Sequence, residues 1–124
     1  MKVFVVEDSP AVRERLVEMI NDIRGMKVVG EADAYDSAVS GIMGTRPDVA
    51  ILDINLARGS GIEVLARVKP QLPALRAIML TNYDTPQHAR ASAAAGAEYF
   101  LDKSADFERI TEILRQMEGA PGAR

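Results

Sequence analysis

Five short apolar runs, each followed by a stretch with helical spacing, constrain the fold of this chain more than any other feature. The runs are rich in Val, Ile, Leu or aromatic residues, which predicts buried β-strands near residues 2–7, 26–32, 48–53, 76–81 and 98–102. The stretches that follow place apolar residues three and four positions apart, as an amphipathic helix does. The clearest sets are Val12, Leu16, Met19, Ile20 and Ile23, then Ala38, Val39, Ile42 and Met43, then Ile62, Leu65, Ala66 and Val68.

This strict alternation predicts an α/β fold in which a doubly wound, five-stranded parallel sheet carries helices on both faces through right-handed crossovers. Ser9 and Pro10 form a start signal for the first helix. Ser104 precedes the last helical pattern, which consists of Phe107, Ile110, Ile113, Leu114 and Met117. Glycines predict helix ends at Gly25, Gly44 and Gly96.

Length and composition exclude several classes of protein. The 124 residues suit one domain, which we expect over 1–117, with 118–124 as a flexible tail or linker stub. Without cysteine, a metal would need oxygen ligands, and a net charge of -3 with scattered basic residues argues against direct nucleic-acid binding. The first apolar run is too short to span a membrane, so we expect a cytoplasmic protein without membrane contact.

Polar side chains follow four of the five predicted strands. Glu7 and Asp8 come after the first strand, Asp53 ends the third, Thr81 ends the fourth and Lys103 follows the fifth. Because ligands of parallel α/β sheets bind outside the carboxyl ends of the strands, we expect these residues to meet at one rim.

Neighbouring carboxylates repel each other unless a cation neutralises them. Mg²⁺, with Mn²⁺ as an alternative, suits such a site, because it binds one or two carboxylates together with phosphate oxygens. Lys103 and Thr81 would then bind phosphoryl oxygens, and Asp53 would be the nucleophile. The single histidine, His88, lies in the first turn of a predicted helix and is expected to be merely solvated, so the phosphoryl donor must be another molecule.

This set of residues, in this order and spacing, resembles the receiver domain of bacterial two-component response regulators over essentially the whole chain. The resemblance implies a (βα)5 flavodoxin-like fold with strand order 2-1-3-4-5. It also implies that Asp53 is the phosphoacceptor, that Glu7, Asp8 and Asp53 hold magnesium, and that the backbone carbonyl of Asn55 is a further metal ligand. Thr81 and Phe100 match the switch pair of the family.

The resemblance further implies a regulatory role. A sensor histidine kinase or a histidine phosphotransfer protein would phosphorylate Asp53, and the face formed by the fourth helix, fifth strand and fifth helix would change shape. A downstream protein or an attached output domain would read that face, with the chain as a monomer or a phosphorylation-dependent dimer. Asn55 and Tyr83 match positions that tune the lifetime of the phosphate.

Two positions depart from the usual family pattern. Ser104 follows Lys103 where the family usually has a proline after a cis peptide bond, and Ala57 replaces a common proline.

Two other functions compete with the receiver interpretation. One is a magnesium-dependent phosphohydrolase with an aspartyl nucleophile, although such enzymes commonly carry a second acid where this chain has Asn55. The other is a flavodoxin-like cofactor module, although Glu7 and Asp8 would repel its phosphate.

Overall fold

The computed structural model describes residues 1–82 and 85–119 as strands and helices in strict alternation. The strands are β1 (Lys2–Val6), β2 (Lys27–Ala32), β3 (Val49–Asp53), β4 (Arg76–Thr81) and β5 (Tyr99–Asp102). The helices are α1 (Pro10–Asn21), α2 (Tyr35–Thr45), α3 (Gly61–Val68), α4 (Pro86–Ala95) and α5 (Arg109–Gly119).

The five strands form one parallel sheet in the order β2-β1-β3-β4-β5, which confirms the predicted fold and strand order. All five residues of the central strand β3 are buried. Its side chains alternate between two apolar clusters: Val49 and Ile51 pack with α1 and α5, whereas Ala50 and Leu52 pack with α2 and α3. Helices therefore cover both faces of the sheet, which explains why the strands read as continuous apolar runs.

Side-chain caps fix where three of the helices begin. The Ser9 hydroxyl accepts a hydrogen bond from Val12 N at 3.4 Å, and Pro10 occupies the first turn as predicted. The hydroxyls of Ser60 and Thr85 do the same for α3 and α4. These caps satisfy backbone N–H groups that have no partner within the helix, so α1, α3 and α4 all begin at the rim where the strands end.

The sequence-based helix ends were partly wrong. Gly96 does end α4, with a left-handed φ of 110°. Gly44, however, lies inside α2, and Arg46 takes the left-handed conformation (φ 47°) after Thr45. Gly25 is left-handed (φ 86°) but comes four residues after α1 ends at Asn21. The sequence does not indicate that α2 ends at Arg46, because a residue with a Cβ seldom takes the left-handed conformation.

The last helix begins later than expected. It starts at Arg109 rather than next to Ser104, and it continues to Gly119, two residues beyond the predicted domain end at 117. The aspartates Asp102 and Asp106 accept backbone hydrogen bonds in the intervening segment, which holds it in turns. Residues 120–124 of the predicted tail lie outside the described residues, so the domain boundary stays a prediction.

The described residues contain no helix that combines the length and the apolar character needed to cross a bilayer.

Candidate functional site

The carboxylates of Glu7, Asp8 and Asp53 lie together at the carboxyl end of the sheet. One oxygen from each of these three side chains lies within 4.8 Å of the others. Glu7 is fully buried and Asp53 is 2% exposed, whereas Asp8 is accessible to solvent. Burying two carboxylates is costly unless a cation or hydrogen-bond donors compensate for the lost water, so these residues require a positive partner.

Lys103 supplies that positive charge. Its Nζ donates hydrogen bonds to Asp53 Oδ2 at 2.8 Å and to Glu7 Oε2 at 3.0 Å, and it lies 2.9 Å from Glu7 Oε1. The Lys103 side chain is only 11% exposed. One ammonium thus bridges two buried acids that come from different strands.

Strand alternation explains why these three side chains meet. Glu7 continues the side of β1 that carries Val3 and Val5, Asp53 continues the side of β3 that carries Val49 and Ile51, and Lys103 continues the side of β5 that carries Tyr99 and Leu101. All of these apolar residues belong to the cluster under α1 and α5. Because alternate residues share one face of a strand, the two acids and the lysine project from the same face at the same rim.

The electrostatics of the site follow from burial and contact. Burial raises the pKa of Asp53 from 3.8 to about 7; the Lys103 hydrogen bond opposes this rise, and the negative charge of Glu7 adds to it. Burial acts to lower the pKa of Lys103, but Asp53 and Glu7 together outweigh it and raise the pKa above its usual value. The ammonium is therefore charged at neutral pH, while Asp53 is poised between its two protonation states.

The loop after β1 is held by three further contacts. The Glu7 Oε2 atom accepts a hydrogen bond from Ser9 N at 3.0 Å. The Arg13 guanidinium donates to the Glu7 backbone carbonyl at 2.8 Å and lies 3.4 Å from the Glu31 carboxylate. Sequence reasoning missed Arg13, because its position in α1 looks like that of an ordinary exposed basic residue.

Gly61 is a second residue that sequence reasoning missed. It is the first residue of α3, directly after the Ser60 cap, and a Cβ built at this position would lie 2.2 Å from the Asp53 backbone oxygen. A side chain here would therefore push the start of α3 away from the end of β3. A glycine directly after a helix-capping serine was the only signal.

Thr81 and Phe100 lie on the opposite face of the sheet from Lys103. Thr81 is fully buried and follows Ala77 and Met79 on the side of β4 that faces α2 and α3. Phe100 pairs with Met79 across β4 and β5 and is partly buried against the same cluster. The two predicted switch residues are thus diagonal neighbours on one face.

Asn55 and Tyr83 complete the set of predicted site residues. The Asn55 backbone N–H donates to Asp53 Oδ1 at 3.1 Å, and the Asn55 side chain is exposed. This contact places the Asn55 backbone against the Asp53 carboxylate. Tyr83 lies outside the described residues.

The donor set fits a hard divalent cation. It consists of three carboxylates whose oxygens approach one another, and cysteine is absent from the chain. Oxygen-only sites of this type suit Mg²⁺ rather than softer metals. Glu7 Oε1 is fully buried and, among the described residues, has only the ionic contact with Lys103 and no directed hydrogen bond.

Comparisons with known proteins agree with the fold. Residues 3–115 match the family described as the response regulator receiver domain. The chain belongs to this family. The receiver domain is 36% identical over 103 residues to the DNA-binding transcriptional activator DevR/DosR of Mycobacterium tuberculosis, covering 83% of this chain and 48% of that protein.

Solved structures give the same result. The receiver domain matches the signal receiver domain of the putative response regulator NarL from Mycobacterium tuberculosis with a TM-score of 0.86 and 30% identity, covering 96% of this chain and 97% of that one. It matches a LuxR-family two-component response regulator from Aurantimonas sp. SI85-9A1 with a TM-score of 0.87 and 27% identity, covering 94% and 83% of the two chains. The receiver domain spans about half the length of the curated relatives it matches. It is a signalling domain of two-component systems.

Proposed function

We propose that Asp53 accepts a phosphoryl group and that this modification switches the receiver domain for a partner. The observation that carries the proposal is the environment of the Asp53 carboxylate. It is buried at a strand end, it contacts the Lys103 ammonium at 2.8 Å, and it lies within 4.8 Å of the Glu7 and Asp8 oxygens. A buried carboxylate that is held this way, beside a fixed positive charge, suits nucleophilic attack on a charged phosphoryl group.

In the proposed reaction an Asp53 carboxylate oxygen attacks phosphorus, and a new P–O bond forms. The bond between phosphorus and the donor's leaving atom breaks, and that atom keeps the electron pair. Lys103 binds one phosphoryl oxygen, and the Thr81 hydroxyl donates to another from the other face of the sheet. The product is an acyl phosphate on Asp53.

Glu7, Asp8 and Asp53, with the backbone carbonyl of Asn55, would hold a Mg²⁺ or Mn²⁺ ion. When bound, the cation neutralises the charge that collects on the phosphoryl oxygens. Lys103 keeps Glu7 and Asp53 paired in the absence of metal, and Asp8 adds a solvent-accessible carboxylate for the ion.

The donor is a phosphohistidine of a sensor histidine kinase or of a histidine phosphotransfer protein. A cleft of ≈ 670 Å³ beside Lys103 supports this proposal, because it gives an incoming side chain access to the rim. Its lining residues are Asp8, Ser9, Val12, Arg15, Asn82, Lys103, Ser104, Ala105, Phe107 and Glu108. Asp8 and Lys103 are the rim residues that line this cleft. A cytoplasmic location stays a prediction.

The switch uses Thr81 and Phe100. A phosphoryl group on Asp53 adds charge and hydrogen-bond acceptors, so Thr81 moves toward it and the partly buried Phe100 ring moves into the space that Thr81 leaves. The face formed by α4, β5 and α5 then changes shape. A downstream protein or an attached output domain reads this face, with the receiver domain as a monomer or as a phosphorylation-dependent dimer. Asn55 and Tyr83 tune the lifetime of the acyl phosphate.

The test is intact-mass spectrometry after incubation with acetyl phosphate, with and without Mg²⁺. We expect the wild type to gain one phosphoryl group only with Mg²⁺, and Asp53→Asn to gain none, because an amide is not a nucleophile. Asp22→Asn is the matched control, since Asp22 is exposed and caps the far end of α1. Equal modification of the wild type and Asp53→Asn would refute the proposal.

Family membership favours this function over the aspartyl-nucleophile phosphohydrolase. Residue 55 gives a second reason, since exposed Asn55 stands where such an enzyme commonly carries its second acid.

A further inference from the structure

The segment that joins β5 to α5 is organised by the carboxylate of Asp102, the last residue of β5. Asp102 Oδ1 accepts hydrogen bonds from Ser104 N at 2.8 Å and from Ala105 N at 2.9 Å. An aspartate that bonds the backbone two and three residues on holds a capped turn, as the Ser60 hydroxyl does at the start of α3. The Asp102 carboxylate therefore fixes the first residues after β5.

Asp106 closes the same segment from its other end. Its Oδ2 accepts from Asp102 N at 3.0 Å, and its own backbone N–H donates to the Asp102 carbonyl at 2.9 Å. The Asp102 backbone N–H and, to a lesser extent, the Arg109 guanidinium lower the pKa of Asp106, so its carboxylate is charged. Side-chain and backbone bonds between the two aspartates thus close a ring of five residues, 102–106.

Lys103 lies inside this ring. Its backbone N–H donates to the Thr81 carbonyl at 2.9 Å, which extends the β4–β5 ladder by one residue. On the other side of Lys103, the backbone is held by the hydrogen bonds that Ser104 N and Ala105 N donate to Asp102. A lysine side chain has four rotatable bonds, so the direction of its ammonium depends on how firmly its backbone is fixed.

The nature of residue 104 matters for this arrangement. The Lys103–Ser104 peptide is trans, and Ser104 donates through its backbone N–H. A proline at residue 104 would have no backbone N–H, so it could not donate this hydrogen bond to the Asp102 carboxylate.

We propose that Asp102 and Asp106 are positioning residues that hold the 102–106 segment so that the Lys103 ammonium reaches Asp53 and Glu7. The proposal rests on the proposed function, in which Lys103 binds the transferred phosphoryl group. Neither aspartate touches the reacting atoms. Each acts through the backbone on either side of Lys103.

The first test compares Asp102→Ala with Asp102→Asn in the acetyl phosphate reaction with Mg²⁺. The asparagine side chain keeps an oxygen that accepts both backbone bonds, whereas alanine has none. We expect Asp102→Ala to slow phosphorylation of Asp53 by about 10- to 100-fold, the range expected when a reacting group is misplaced by about an ångström. Asp102→Asn should restore the rate to within about threefold of the wild type, because the turn is retained. Asp22→Ala controls for the loss of one exposed acid.

The second test needs neither metal nor phosphoryl donor. Metal-free protein is acetylated with a water-soluble N-hydroxysuccinimide ester, and modification of Lys103 is measured by peptide mass spectrometry against exposed Lys27. Lys103 is protected by its contacts with Asp53 and Glu7, and its side chain is 11% exposed. We expect it to react several-fold faster in Asp102→Ala, but at the wild-type rate in Asp102→Asn and Asp22→Ala.

The outcomes separate the two proposals. A wild type that gains no phosphoryl group refutes the proposed function, whatever the variants do. A wild type that is modified, with Asp102→Ala equally fast and Lys103 equally protected, refutes only the positioning role. Equal slowing in Asp102→Ala and Asp102→Asn with Lys103 still protected also refutes it, since charge would then matter rather than the turn. If Asp102→Ala does not fold by circular dichroism, the pair Asp106→Ala and Asp106→Asn gives the same comparison at the partly exposed partner.

Discussion

At the scale of single residues, the position of Asp53 depends on Gly61, which has no side chain to contribute to the site. Gly61 lets α3 begin against the Asp53 carbonyl, because a Cβ at residue 61 would lie 2.2 Å from that oxygen. We expect Gly61→Ala to lower the free energy of unfolding by about 1–3 kcal/mol, as overpacking does. Urea denaturation followed by circular dichroism measures this change.

Gly44→Ala is the matched control, because Gly44 lies within α2 and its Cβ would meet nothing within 4 Å. Alanine at this position in the last turn of α2 should stabilise the protein by at most about 0.5–1 kcal/mol. If the two variants change stability by the same amount and in the same direction, contact with Asp53 is not what requires glycine at residue 61.

The protonation of Asp53 makes stability depend on pH in the absence of metal. Its pKa is raised to about 7 by burial, from 3.8, so the folded protein binds this proton more tightly than the unfolded chain. The resulting stabilisation is fully present below about pH 4 and is lost as the pH rises through about 7. In a chelator, we expect the wild type to lose about 2–3 kcal/mol of stability relative to Asp53→Asn as the pH rises from 5 to 8, because the variant buries no charge.

Urea midpoints at the two pH values measure this difference, with Asp22→Asn as the exposed control. A wild-type to Asp53→Asn difference that is the same at pH 5 and pH 8 would show that Asp53 does not titrate in this range.

At the scale of secondary-structure elements, α4 is the helix with the weakest anchor. Its one fully buried residue is Ser92, whereas α3 buries four residues in its eight. Within the described residues the Ser92 hydroxyl has no hydrogen-bond partner. A helix that buries little apolar surface and carries an unpaired polar group opens more readily than its neighbours.

We therefore expect Ser92→Ala to stabilise α4 by about 1 kcal/mol, because it removes the unpaired hydroxyl and introduces the best helix former. Hydrogen exchange measures this locally: the α4 amides should exchange faster than those of α3 in the wild type and should slow about fivefold in the variant, the change that 1 kcal/mol produces. Slower exchange in α3 and α4 alike would indicate a global effect and contradict a local role for Ser92.

At the scale of the whole molecule, the proposed cation site joins the ends of β1 and β3. A ligand that binds only the folded state stabilises it by mass action, by about 1.4 kcal/mol at ten times its dissociation constant. We expect Mg²⁺ to raise the thermal midpoint of the wild type at pH 8. Asp8→Asn should lose most of this rise while keeping its metal-free stability, because Asp8 is accessible and the Lys103 contacts involve Glu7 and Asp53 instead. An unchanged rise in Asp8→Asn would remove Asp8 from the metal site.

The sequence predicted the sheet and its rim because their signals are local and periodic. Apolar runs mark the strands, and the polar residues that close each run mark the rim, so Glu7, Asp8, Asp53 and Lys103 could be grouped from the sequence alone. Glu7, Asp53 and Lys103 each continue the side of their strand that faces the cluster under α1 and α5. Counting alternate residues along each strand could therefore have predicted that these three side chains share one face.

The remaining features leave no periodic trace in the sequence. The helix α5 starts late, at Arg109, and the helical spacing of Phe107 and Ile110 gave no warning of it. Arg46 ends α2 in a left-handed conformation that residues with a side chain seldom adopt. Glycine is required at residue 61 only because the Asp53 backbone lies beside it. The last two of these features depend on an unusual backbone angle and on a close contact between the end of β3 and the start of α3.

The most direct test of the central claim is to locate the phosphoryl group. The wild type is treated with acetyl phosphate and Mg²⁺, then with borohydride, which reduces an acyl phosphate to the alcohol and converts a phosphorylated aspartate into homoserine. Peptide mass spectrometry should find homoserine at residue 53 and at no other aspartate. Homoserine at Asp8 instead, or a phosphoryl group found on His88, would contradict Asp53 as the acceptor.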